Sequence, residues 1–215
     1  MNIESTRAKG GRTSIAAIAL AACFALTVSL AAMPAAAQDG RWQIGVDAVS
    51  STIGDNENAG DVKIDETGSG GGFQVGHLLV PGFMLRLAAT SAQHETSDPN
   101  VDIRIGGVTF EALFLFREGQ AFRPYLFAGL GGYMAESQQQ ELVFDISGPG
   151  ATFGAGGHLR LGSRVTLNAG LRVDAINWET ARVSYITPTG TVRIEVPIDE
   201  SGWASKVSLG LGFWL

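Results

Sequence analysis

The stretch Lys206-Val207-Ser208-Leu209-Gly210-Leu211-Gly212-Phe213-Trp214-Leu215 repeats with a period of two. Val207, Leu209, Leu211, Phe213 and Leu215 make one apolar face, Lys206, Ser208, Gly210 and Gly212 a small or polar one, and only Trp214 departs from the contrast. Successive side chains of a β-strand point to opposite sides, so this is a strand with one fully apolar surface.

The same alternation recurs upstream. Val165, Leu167, Ala169, Leu171 and Val173 oppose Thr166, Asn168, Gly170, Arg172 and Asp174; Phe153, Ala155, Gly157, Leu159 and Leu161 oppose Gly154, Gly156, His158 and Arg160. Pro124 to Tyr133 reads as a strand with apolar residues and glycine on both sides. A strand ending at Phe116 sets Val108, Phe110, Ala112 and Phe114 against Thr109, Glu111, Leu113 and Leu115, with a bulge expected at Gly106-Gly107. Phe83 to Thr90, Gly72 to Leu79 and Arg41 to Ala48 complete the series, for eight strands in all. The polar stretch Glu136 to Gly150 is expected to be a loop, and Trp178 to Ser201 an excursion whose segments Arg182–Ile186 and Thr191–Val196 extend as a hairpin around Pro188-Thr189-Gly190.

Connections alternate in length. Those near Pro81-Gly82, Gly119 and Ser163 are short, whereas the polar regions near Gly54 to Gly60, Ser97-Asp98-Pro99-Asn100, Glu136 to Gly150 and Trp178 to Ser201 are long. The long-loop regions hold 15 acidic residues against Lys63, Arg104, Arg182 and Arg193, so that rim is strongly acidic. In a water-soluble barrel charges would coat the outside. Here the non-apolar face carries glycine, small residues and scattered charges, too few for a solvated exterior and suited to a narrow lumen. Backbone facing lipid cannot be left unpaired, so the sheet must close, first strand on last. The expected fold is all-β, an eight-stranded antiparallel up-and-down transmembrane β-barrel. Trp42, Phe83, Phe116, Tyr125 and Phe213 are expected in an interfacial girdle at the short-turn rim.

The amino terminus fits export. Arg7, Lys9 and Arg12 precede the apolar run Ser14 to Met33, and Ala35-Ala36-Ala37 supplies small residues for cleavage, so residues 1–37 are expected to be a cleaved signal peptide and 38–215 the barrel domain. An uncleaved anchor and lipoprotein processing at Cys23 are the alternatives. Residues 38–215 hold 12 basic and 20 acidic side chains, a formal charge of −8, which argues against nucleic acid as a partner. Cys23 is the single cysteine, so residues 38–215 contain no thiolate metal site or disulfide.

Arg123-Pro124-Tyr125-Leu126-Phe127-Ala128-Gly129-Leu130-Gly131-Gly132-Tyr133, the glycine-rich pair from Phe153 to Val173 and the terminal strand resemble the small eight-stranded outer-membrane proteins of the OmpA and OmpX type, within the outer-membrane β-barrel domain group. Leu215 stands where that family usually ends on an aromatic. The resemblance implies the outer membrane of a Gram-negative bacterium, membrane lipid and lipopolysaccharide as surroundings, and insertion by barrel-assembly machinery through Val207, Leu209, Leu211, Phe213 and Leu215. A second departure is expected at the same end, where the peptidoglycan-binding domain that follows some such barrels has no counterpart after Leu215. Family members are structural, adhesive or small-solute proteins, so resemblance leaves the role open.

Asp47, Arg86, Glu111, Arg172, Asp174 and Lys206 fall on the lumen-reading face and are expected to form a charge network, with Arg172 on Glu111 or Asp47. Such a network is either a gate in a narrow polar path or a static salt-bridged plug, since buried charges must pair in both cases. No catalytic, cofactor or metal site is expected: His77, His94 and His158 are scattered, with His94 placed at a loop edge, and the glycine strings precede no helix. The function expected is a monomeric, non-enzymatic structural or adhesin-like surface protein acting through acidic extracellular loops, which could hold divalent cations or bind a surface ligand. The alternative is a narrow small-solute pore.

Overall fold

The computed structural model describes residues 41–54, 67–96, 102–117, 119–139, 142–187 and 190–215. The signal segment and most of the Gly54 to Gly60 and Ser97 to Asn100 turns lie outside these residues. Eight strands follow one another: β1 (Trp42–Ile53), β2 (Thr67–Val80), β3 (Phe83–His94), β4 (Asp102–Leu115), β5 (Phe122–Gln139), β6 (Leu142–Arg160), β7 (Val165–Thr187) and β8 (Gly190–Trp214). Each pairs antiparallel with the next, and β1 pairs with β8 from Gln43↔Trp214 to Ile53↔Ala204, closing the barrel.

Facing follows the sequence period. Gln43, Gln74, Arg86, Glu111, Asp174 and Lys206 are buried, while Leu87, Phe110, Leu130, Leu171, Val207 and Leu209 are exposed on the outside, Leu130 by 71%. Such an inverted solid, polar within and apolar without, is stable only with hydrocarbon around it. Phe213 shares the outward register with Ile44 and Val165 but is only 5% exposed.

Several strands differ from the sequence reading. β5 and β6 run on to Gln139 and from Leu142, so most of Glu136 to Gly150 is paired strand, in register from Glu136↔Asp145 through Gln139↔Leu142. Likewise β7 and β8 continue to Thr187↔Gly190 with one irregularity between Trp178 and Thr180. Polar residues suit these extensions because strands of this length outrun a bilayer, which needs about 9–11 residues per strand. No bulge occurs at Gly106-Gly107, where the register with β3 and β5 is continuous. Gly107 is needed for space instead, since a Cβ there would strike the Tyr133 ring.

The lumen is filled by aromatics set against glycines. Tyr125 pairs with Gly156 and Phe127 with Gly154, and a Cβ at either glycine would meet the facing ring. Tyr125 is therefore inside the barrel, 4% exposed, rather than in the outer girdle. Met84, Leu113, Leu115, Tyr125 and Phe127 pack together near the short-turn rim, with Leu78 and Trp214 against them. Tight turns complete that rim: Gly82 and Gly119 have φ of 83° and 77°, values glycine adopts freely.

Candidate functional site

Above the apolar cluster lies a charged layer. Glu111 on β4 is fully buried between two guanidinium groups: Arg86 on β3 donates from Nε at 2.7 Å to Oε2, and Arg172 on β7 donates from Nη2 to Oε1. Thr109 donates to Oε1 at 2.6 Å. Arg86 Nη1 also donates to Gln74 Oε1 at 2.8 Å, and Gln74 Nε2 donates to Asp47 Oδ2 at 2.9 Å. One chain of bonds thus crosses the lumen from β7 through β4, β3 and β2 to β1. The guanidinium groups also lie over aromatic faces, Arg86 5.0 Å and Arg172 5.4 Å from the Phe127 centroid, where the ring quadrupole favours a cation.

A second cluster sits nearer the long-loop rim. Lys206 Nζ is 2.7 Å from Asp174 Oδ2 and donates to Thr90 Oγ1 at 3.2 Å, and the Tyr133 hydroxyl donates to Asp174 Oδ1 at 3.0 Å. Three cations and three anions therefore meet in these two clusters: Arg86, Arg172 and Lys206 with Asp47, Glu111 and Asp174. Neutrality is required because an uncompensated buried charge costs several kcal/mol. Between the clusters, bounded by Asp47, Gln74, Arg86, Phe127, Arg172 and Lys206, the cavity is about 30 Å³. That is room for roughly one or two water molecules.

All six charges read from the sequence lie in these clusters, with Arg172 on Glu111 and Asp47 reached through Gln74. Gln74, Thr109, Thr90, Phe127 and Tyr133 were not singled out by the sequence. The polar three sit on the lumen parity of their strands, a usable signal; the aromatics were hidden by the two apolar faces of β5.

The histidines occupy three separate environments. His77 stacks on Trp42 outside, centroids 4.4 Å apart, and His158 lies in the lumen 4.8 Å from the Tyr125 ring. His94 belongs to β3 and is fully buried, because the strand continues inward-facing beyond the point where composition suggested a loop. Among the described residues no group of three His, Cys, Asp or Glu could hold a metal.

At the long-loop rim, β7 and β8 project together. Arg182 bridges Asp145 at 3.1 Å and Glu195 at 3.2 Å, tying β6, β7 and β8. Val192, Ile194 and Val196 form an exposed apolar row on β8. Pairing with β1 stops at Ile53↔Ala204 and a Gly54 N–H to Trp203 carbonyl bond; among the described residues no strand covers the β1-side edge of β8 from Val192 to Gly202.

The family model described as "Outer membrane protein beta-barrel domain" matches residues 22–213. Solved structures with the same fold include Neisserial surface protein A, 14% identical, covering 81% of this chain and 97% of that one with a TM-score of 0.61. A major outer membrane protein from Thermus thermophilus is 13% identical, covering 81% and 99%, with a TM-score of 0.58. Ail, the attachment invasion locus protein of Yersinia pestis, is 13% identical, covering 82% and 99%, with a TM-score of 0.54. Comparison with curated protein sequences finds no match.

Proposed function

The chain belongs to the outer membrane protein β-barrel domain family and is a protein of the outer membrane; from that premise we propose that it is a closed barrel whose β7–β8 hairpin and acidic loops engage a surface partner. The observation that carries this reading is the projecting hairpin with its exposed row Val192, Ile194 and Val196 beside a strand edge that no described strand covers. An extended segment of a partner can add to such an edge by backbone hydrogen bonds while the apolar row supplies contact area. Long loops of these barrels face outward, which supports a position for the hairpin at the cell surface. β8 has 25 residues, so roughly 45 Å of it extends past the bilayer, given about 11 residues to cross and 3.3 Å per residue.

The lumen supports a structural rather than a conducting role. A conducted ion would have to part Glu111 from both arginines in a space of about 30 Å³. The name of Ail speaks of attachment, and the shared fold is consistent with that class of role. Ail has also been solved with the heparin analogue sucrose octasulfate; the 15 acidic residues of this chain's loop regions disfavour such a polyanion and favour a neutral or basic partner. We assign no reaction, and we read residues 1–37 as the export signal removed before insertion.

Deleting Thr187 to Glu195 tests the assignment. Cells displaying the shortened protein should lose attachment to host cells or matrix while the barrel still migrates as a folded, heat-modifiable species in electrophoresis; unchanged attachment refutes the adhesive role. In planar bilayers the intact protein should carry no steady current, and a reproducible single-channel conductance would replace this reading with that of a narrow solute pore.

A further inference from the structure

The short-turn rim is rich in arginine, where the opposite rim is rich in carboxylates. Five of the 12 Lys and Arg residues in 38–215 lie there: Arg41, Arg117, Arg123, Arg160 and Arg164. Arg41 shares the lumen-facing register of Gln43, Arg123 that of Tyr125, and Arg160 that of His158. Arg123, His158 and Asn168 form one row across three strands, as Arg123↔His158 and His158↔Asn168 are direct pairs. His158 is 1% exposed, and among the described residues neither of its ring nitrogens has a hydrogen-bond partner; Asn168 Nδ2 is in the same condition. The Tyr125 and Trp214 rings flank His158, with centroids at 4.8 and 6.5 Å.

We propose that this inner mouth is a binding site for carboxylate groups of an acidic peptide presented from the periplasm. The site is rich in donors: guanidinium forks match carboxylates in a bidentate manner, and the imidazole and amide add donors deeper in. Tyr125 and Trp214 supply an aromatic floor for the peptide's apolar atoms. Placement decides between a peptide and the phosphate headgroups of the surrounding lipid. A headgroup approaches from outside the ring of strands, where the residues at this level are the exposed Trp42, Phe122, Leu159 and Leu161. The lumen register of Arg41, Arg123 and Arg160 instead gathers their charge about the barrel axis, away from the lipid-facing surface.

The experiment uses the folded chain in nonionic detergent and fluorescein-labelled hexaglutamate, read by anisotropy. Saturable binding is expected, weakening as salt rises, with no response to labelled hexalysine. Arg123→Gln with Arg160→Gln should weaken it at least about tenfold, since each fork–carboxylate contact is charge-assisted; Arg182→Gln, at the far rim, should leave it unchanged. Arg160→Gln alone, at an exposed position, should give a smaller loss and serves where the double variant fails to fold. Absence of saturable binding to the folded wild type, or equal binding by the arginine variants, overturns the site. If hexaglutamate fails while vesicles containing phosphatidylglycerol bind in an Arg160-dependent way, the rim docks lipid headgroups and the peptide assignment is overturned.

Discussion

The mid-barrel lumen and the projecting hairpin are built from the same alternating chain and use charge in opposite ways. In the lumen Glu111 is sealed between Arg86 and Arg172, and every strand around it is paired on both edges. In the hairpin Arg182 bridges Asp145 and Glu195 in partly exposed surroundings, beside an edge that no described strand covers. Loss of one partner leaves a charge stranded in the first region, whereas in the second water takes the partner's place. Stability therefore concentrates in the membrane layer, and the projecting hairpin tolerates the change that the proposed recognition role calls for.

Four substitutions grade that contrast. Glu111→Ala should have the largest effect, about 4 kcal/mol of destabilisation in urea unfolding from lipid vesicles, because two buried guanidinium groups lose their common anion; a loss below about 1 kcal/mol would show that water already reaches the layer. Lys206→Met should follow, at about 3 kcal/mol, leaving Asp174 with the Tyr133 hydroxyl. Leu209→Arg puts a charge on the lipid face and should cost about 2–3 kcal/mol in the same assay. Arg182→Gln should change stability by less than about 1 kcal/mol, as partly exposed ion pairs do. If Arg182→Gln cost as much as Lys206→Met, the division between a rigid barrel and a tolerant hairpin would collapse.

Much of this architecture is legible in the sequence because a membrane barrel has a strict two-residue period. Val207, Leu209 and Leu211 announce the outside, and Glu111, Arg172 and Lys206 the inside, since in lipid the sign of the pattern leaves little choice. Strand ends are far less legible. Beyond the bilayer both faces meet water, so Glu136 to Gly150 has the composition of a loop while hydrogen-bonded as strand. β5 misleads differently: with apolar residues on both faces, nothing in its own period says that Tyr125 and Phe127 point inward, and the answer lies in glycines on a neighbouring strand. Gly107 likewise has the look of a bulge because its true purpose, clearance for Tyr133, depends on a residue 26 positions away.

The pairing of rings with glycines also acts on assembly. A slip of one residue between β5 and β6 would turn apolar side chains into the lumen and is rejected by the membrane itself. A slip of two keeps every side chain on its proper face, and hydropathy offers no objection. The rings do object. Sliding one way sets Phe127 opposite Thr152, and sliding the other way sets Tyr125 opposite His158, whereas the native register gives both rings a glycine. Tyr125 and Phe127 with Gly156 and Gly154 thus form a two-toothed key that admits a single alignment of this hairpin.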